Sequence, residues 1–531
     1  MRRWNAWGEE TITFPLAPAA AAFLKDVIDP GIPTHDAALE EVIAQVPPSR
    51  LPTYSLISVD PAERVRHARG QSLPDWIALR SGRIDTFPDG VAYPEGESEV
   101  RDLISYAREV GAQLIPYGGG TSVVGHINAL PGDRPLLTVD LRRMCLLHNM
   151  DEINQLATFG AGVTGLHLEA QLRARGYTLG HFPQSFEYST LGGWIATRSS
   201  GQQSLGYGRI EQLFAGGRIE TPSGTFEIQP FPASATGLDL RELVLGSEGR
   251  LGILTEATVR VTPLPEQEVF LVVFFPDWER GIAAVRQMLQ SRLPLAMLRL
   301  STPMETKTNL LLAGHERLMG AVEHALALRG LGDTRCMLLM GIAGCKAVVA
   351  SARKEALHIA GRLNGVSLGR LLGAGWQKQR FRTPYLRNTL WSIGYAVDTV
   401  ETAYPTWDRV PALVDAIEAA LRSGLVEDDE KVHVFSHLSH LYRDGSGIYT
   451  TYLYRIASNP GETLRRWRVL KAAACREIVA LHGTISHQHG VGTDHQRYLL
   501  AEKGALGLAA MRQFYAHFDP EGMMNPGKLV V

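Results

Sequence analysis

Cysteine is scarce. The 531 residues hold four, at 145, 336, 345 and 475, and no two form a CxxC pair. A disulfide framework and a zinc ribbon are therefore not indicated, and a reducing, cytoplasmic setting is expected. Excess charge of one sign is missing too. The 53 basic and 55 acidic residues leave a formal charge of −2, which removes the polycationic surface that sequence-blind nucleic-acid binding needs. No run approaches the roughly 18 uncharged apolar residues of a membrane span. A targeting leader is not expected, because Glu9 and Glu10 stand where an apolar run should follow Arg2 and Arg3. What remains is globular composition, 45% hydrophobic and 20% charged, on a chain too long for one core.

The first 85 residues are rich in proline and charge, with short helical patches such as 37–46. From Val91 the texture changes. Ser98 and Glu99 are placed to cap a helix whose apolar positions Val100, Leu103, Ile104, Ala107 and Val110 recur at three and four residues. Gly111 ends it, 113–117 reads as a strand, and 136–141 as another. Similar alternation runs through 157–163, 166–175 and 190–201 to the strand-like 257–261, and Pro263 and Pro265 mark a boundary. A second unit begins at Val269, with strands at 269–275 and near 337–342 and helices at 279–290 and 347–363. Residues 431–456 read as paired strands joined at Asp444-Gly445-Ser446-Gly447. A helix over 463–481 and a last one ending at Phe518 follow. The expected division is 1–85, 86–265, 266–430 and 431–531.

Gly118-Gly119-Gly120, directly after a strand, can turn consecutive N–H groups into one concavity for phosphate oxygens, with Thr121 and Ser122 adding hydroxyls. A plain tight turn is the other reading. A Walker A loop is excluded because no lysine follows, and the GxGxxG fingerprint fails at Val123. Two further glycine-rich stretches, Gly192-Gly193-Trp194-Ile195-Ala196-Thr197 and Gly246 to Gly252, exceed what chain reversal demands.

These three loops, with the closing Asp519 to Lys528, resemble the flavin loops of the vanillyl-alcohol oxidase and p-cresol methylhydroxylase superfamily. Within it, 180–185, 196–202, Pro384-Tyr385-Leu386-Arg387, Val400-Glu401-Thr402-Ala403 and Ile485 to Gly492 are most similar to the alkyldihydroxyacetonephosphate synthase family. Trp4-Asn5-Ala6-Trp7-Gly8 is a weaker echo. The resemblance implies an α+β fold, with a two-subdomain FAD-binding domain and an α+β cap. It implies FAD contacts from Pro116, Gly118, Gly119, Gly120, Thr121, Ser122, Pro183, Ser185, Thr190, Gly193, Ala196, Thr197, Glu248, Gly249, Gly252 and Ile253. Thr121 lies where covalent relatives often place a histidine, so noncovalent FAD is expected, with His126 the one nearby histidine.

The implied reaction exchanges the acyl group of acyl-dihydroxyacetone phosphate for a fatty alcohol through an adduct at flavin N5, without net oxidation. Tyr449, His487, His489 and Arg387 take the catalytic roles by resemblance, and Arg299, Arg387 and Gln488 face substrate. A lipid-like substrate, a homodimer and a peripheral membrane contact are further expectations. His487 and His489, two apart on extended chain, should face one volume. No HExxH occurs, so no metal is expected, and His433, His437 and His440 read as structural. Gln488 replaces the middle of the family's three consecutive histidines, and glutamine does not exchange a proton near neutral pH. If that position is the essential base, ether formation is impaired; if its neighbours are, the change is tolerable. That departure motivates an alternative, a FAD-dependent dehydrogenase or oxidase of a 2-hydroxy acid or alcohol. A flavin-binding protein without turnover ranks last, since Tyr449, Arg387, His487 and His489 are retained.

Overall fold

Leu136–Asp140 has every residue buried, the mark of a strand covered on both faces. It is central to a four-stranded sheet ordered Ile57–Ser58, Gly90–Ala92, Leu136–Asp140, Gln113–Tyr117. The last three strands are parallel and the first antiparallel. This is a computed structural model, and it describes residues 1–312, 320, 324 and 326–530. The helix Glu97–Glu109 buries Val100, Leu103, Ile104 and Ala107. It begins ahead of the expected cap. Gly96 is the N-cap, Ser98 lies inside the first turn, and the Glu99 carboxylate accepts from the Glu95 N–H at 2.7 Å. Gly111 follows the helix with φ +69°, a conformation that favours glycine.

A second, five-stranded antiparallel sheet is ordered Leu147–Asp151, Leu156–Gly160, Ile253–Arg260, Phe214–Thr221, Gly224–Ile228. The C-terminal segment returns to the first sheet. The Leu114 N–H donates to the Met523 carbonyl at 2.8 Å, and the Asn525 N–H to the Leu114 carbonyl at 2.7 Å.

The remaining large sheet has seven strands in the order Val366–Ser367, Gln267–Phe275, Cys336–Gly344, Met297–Ser301, His433–Leu441, Ser446–Arg455, Tyr395–Tyr404. All its pairings are antiparallel. The division expected at 430/431 falls inside this sheet and is corrected here. Leu300 pairs with Leu438 and Glu401 with Tyr449, so ladder hydrogen bonds cross that boundary. The helices Trp278–Gln290 and Lys346–Arg362 pack together on this unit. The N-terminal helix Pro18–Ile28 packs on Pro303–Leu312 and on two of the sheet's strands. The patch expected helical over 37–46 is helical only at Leu39–Ile43. One hydrophobic cluster runs from Trp76 and Phe159 to Leu438 and Tyr454, so both units share a core.

Candidate active site

Between the glycine loops and the seven-stranded sheet lies a cavity of about 980 Å³. The residues expected to hold the cofactor all line it except Ile253, which is fully buried in its strand opposite Glu220. The triple glycine is set by space as much as by torsion. A Cβ on Gly118 would overlap the Thr190 hydroxyl, and one on Gly119 the Tyr188 carbonyl; Gly120 has φ +69°. Backbone N–H groups that close to their neighbours form a concavity no larger residue permits. Thr190 caps the helix Leu191–Thr197, its Oγ1 accepting from the Gly193 N–H at 3.3 Å.

Glu248 has φ +51°, is followed by Gly249 at φ +77°, and turns inward. Its carboxylate accepts from the N–H groups of Val491 (2.6 Å) and Gly492 (2.8 Å). It therefore fastens the histidine-bearing segment to the glycine loops. His126 pairs Nδ1 with Ser122 Oγ at 2.9 Å, while its buried Nε2 lies 3.2 Å from the Glu248 carboxylate without a hydrogen bond. Asn525 donates to the carbonyls of His126 (3.0 Å) and Glu248 (2.7 Å), while its buried Oδ1 has no protein partner. A glycine cradle, a flat slot beside Ala196 and Thr197 and unpaired polar atoms along the lining fit a dinucleotide flavin.

Across the cavity, chemistry is carried by side chains brought from distant strands. Glu401 is buried on Tyr395–Tyr404 and accepts from three consecutive backbone N–H groups, those of His487, Gln488 and His489, at 3.0–3.1 Å. Ser486 Oγ donates to it at 2.7 Å. Burial would raise its carboxyl, but His489, His487 and these donors outweigh that and hold it at about 2. The nest splits the two histidines. Gln488 and His489 line the cavity; His487 does not. Its Nε2 lies 2.6 Å from Tyr442 Oη and beside the Arg209 guanidinium, and burial pushes it down to about 3. The expectation that both histidines face one volume is therefore corrected, because 487–489 wraps a carboxylate instead of running extended. Burial also lowers His489, leaving a neutral imidazole. The buried Oε1 of Gln488 has no partner.

Tyr449 stacks on His437 (centroids 5.0 Å, 21°) and meets His489 edge-on at 5.7 Å; burial raises its phenol to about 12. Glu305 accepts from Arg299 at 2.7 Å and contacts His437 Nδ1 at 2.9 Å. Those partners overcome its burial and hold it at about 2. Arg299 lines the cavity through this pair. Arg387 donates Nη1 to the Gln71 carbonyl at 2.6 Å and lies 4.2 Å over the Trp76 ring. Its Nε and Nη2 are buried and unpartnered, and burial lowers the guanidinium to about 10. A buried, half-satisfied cation on a cavity wall leaves two donors free for an anion. Beyond it the lining turns apolar, with Phe23, Leu24, Leu310, Leu390, Phe435 and Leu453. The roles of Glu401 and Glu305, and the reach of Phe23 and Leu24 into this wall, escape sequence reasoning. For Glu401 the one signal is its place in the motif Val400-Glu401-Thr402-Ala403, which carries part of the resemblance. Among the described residues, no group of three or more His, Cys, Asp or Glu could hold a metal ion.

A domain that cradles a dinucleotide in backbone loops, faced by an antiparallel cap sheet, defines a two-domain flavoprotein. The FAD binding domain family matches residues 88–228, and the family of FAD linked oxidases, C-terminal domain, matches 264–529. The chain belongs to the FAD-linked oxidase family, and its cofactor is FAD. Among its relatives is the alkyldihydroxyacetonephosphate synthase of Dictyostelium discoideum, 28% identical over 99% of this chain and 93% of that protein. A solved alkyldihydroxyacetonephosphate synthase superposes with TM-score 0.86 at 27% identity, covering 99% of both chains. Substrate-bound p-cresol methylhydroxylase shares the fold, at TM-score 0.68 and 14% identity over 89% of this chain and 93% of that one.

Proposed function

We propose that this protein exchanges the acyl group of acyl-dihydroxyacetone phosphate for a fatty alcohol, yielding the ether and free fatty acid. The observation that carries the reading is one cavity joining three features: the glycine cradle, a cation with two unpaired nitrogens at Arg387, and an apolar arm. Bound FAD supplies the electron-accepting ring. Arg387 orients the phosphate end of the substrate, and Phe23, Leu24, Leu390 and Leu453 receive hydrocarbon while excluding water. Of the two histidines flanking Gln488, His489 is the one whose imidazole faces the cavity. Its Nδ1 is turned toward Glu401 at 3.9 Å, so Nε2 is the nitrogen left to take the C1 proton. Imidazole is suited to such transfers near neutral pH. Gln488 offers a neutral amide beside it, for orientation and not for proton exchange. The base is thus a flanking residue, and the substitution at the middle position is tolerated.

We also propose that the FAD is noncovalent, and that the protein works as a homodimer drawing both lipids from a membrane surface in the cytoplasm. The test is to supply purified holoprotein with acyl-dihydroxyacetone phosphate and a fatty alcohol. Fatty acid should appear in step with ether product while the flavin ends oxidised. Flavin-loaded protein that releases no fatty acid, yet is bleached under argon by a 2-hydroxy acid, would overturn the reading in favour of an oxidoreductase.

A further inference from the structure

We infer that residues 2–8 form a latch that fastens the helix carrying Arg387 to the glycine cradle and thereby retains FAD. The motif Trp4 to Gly8 has no part in the chemistry above, yet both ends of its segment are engaged. At one end, Arg2 Nη2 donates to the Gly119 carbonyl at 2.7 Å, and its guanidinium lies 4.8 Å over the Tyr188 ring. A peptide unit is planar and trans, so its C=O and the following N–H point opposite ways. Holding the Gly119 oxygen outward therefore fixes the Gly120 N–H toward the opposite, cavity side, where a phosphate oxygen needs a donor.

At the other end, Trp7 is bonded twice to Asn388, its N–H to Oδ1 at 3.1 Å and its carbonyl from Nδ2 at 2.9 Å. Asn388 follows Arg387 on the helix Thr383–Ser392. Thr389 Oγ1 adds a bond to the Phe14 carbonyl at 2.7 Å. The turn between the two ends is held by Arg3, which donates to the carbonyls of Trp7, Glu10 and Ile12 at 3.0–3.2 Å. Gly8 has φ +74°, and a Cβ there would overlap the Tyr385 ring on the same helix. Tyr385 Oη meets Tyr188 Oη at 2.9 Å, one residue from the cradle's neighbour Ser189. A segment bonded to the cofactor loop by one arginine, and to the cap by a paired amide, transmits the position of each to the other.

The readout is FAD release, followed by the fluorescence of free FAD after dilution of the holoprotein, so the result stands whether or not the ether-forming reaction does. Arg2→Ala should speed release about tenfold, the loss expected for a hydrogen bond from a charged donor. Arg2→Lys, which keeps a donor, should restore most of it. Asn388→Ala touches no cradle atom and should also speed release. Combining Arg2→Ala with Asn388→Ala should add little to the faster single variant, because a latch cut once is already open. The inference is overturned if Arg2→Ala releases FAD within twofold of the parent. It is equally overturned if Asn388→Ala leaves release unchanged, or if the two effects simply multiply.

Discussion

The two walls of the cavity are built on opposite plans. The cradle of Pro116 to Ser122 is main chain, shaped by residues that lack side chains, and its neighbours Tyr188 and Thr190 close on it within van der Waals limits. The facing wall is side chain. Glu401, Glu305, His437 and Tyr449 come from strands or helices far apart in sequence and are held by each other's charge and hydrogen bonds. A main-chain site tolerates no added atom but has few groups that titrate. A side-chain site tolerates small changes of shape, yet depends on every protonation state. One wall suits a cofactor that must stay; the other suits a proton that must move.

That contrast is broken most severely at Gly119. The added methyl of Gly119→Ala would occupy the space of the Tyr188 carbonyl, a backbone atom that cannot swing aside. The expected outcome is protein that folds around its shared core but purifies colourless, with FAD affinity down by 100-fold or more, the ~3 kcal/mol that overpacking costs. Absorbance of the flavin band against total protein checks it.

The side-chain wall should respond to truncation in kind, with chemistry lost and cofactor kept. His489→Ala removes the imidazole proposed as the base and should lower turnover by roughly 10²–10⁴, the usual weight of a positioned general base, without releasing FAD. His487→Ala removes a ring that faces Tyr442 and Arg209 instead. Its effect should be at least tenfold smaller and reach the site only by loosening the 486–489 segment. Equal losses at the two positions would erase the distinction that the Glu401 nest creates.

The contrast also explains which parts of the molecule are legible in its residues alone. Glycine leaves a local signature, so the cradle, its two companion loops and the α+β alternation around them are readable. Ile253 is the exception, since adjacency to Gly252 does not reveal on which face of a strand a side chain falls. The strand Tyr395–Tyr404 is not readable. Asp398 and Glu401 interrupt its apolar pattern, and only the structure shows that Trp467, Tyr452 and three backbone N–H groups satisfy them. Nor is the N-terminal region legible. Its proline-rich texture says nothing of Phe23 and Leu24 reaching a cavity built mostly by residues hundreds of positions away.

Acid should separate the two walls with the smallest perturbation. Burial holds His487 at about 3 and His433 at about 4, against an ordinary 6.5, and lowers His437, His440 and His489 as well. These rings are neutral when folded. Below pH 6.5 the unfolded chain takes up protons that the folded chain refuses, so stability falls as pH drops from about 6.5 toward 3. Glu401 and Glu305, held at about 2 against 4.5, add a loss of the same sign as pH falls from 4.5 toward 2. Between pH 7 and 4 the histidines together should cost on the order of several kcal/mol, offset in part by Asp494, whose carboxyl burial raises to about 7; the net loss is read as a falling denaturant midpoint. It should be local first. The cradle loop 116–122 carries one titratable group, Tyr117, whose phenol burial raises further out of range. Hydrogen exchange at mildly acid pH should therefore quicken in 433–441 and 486–489 while 116–122 stays protected and FAD stays bound. Release of FAD before those strands open would show that the two walls do not stand apart energetically.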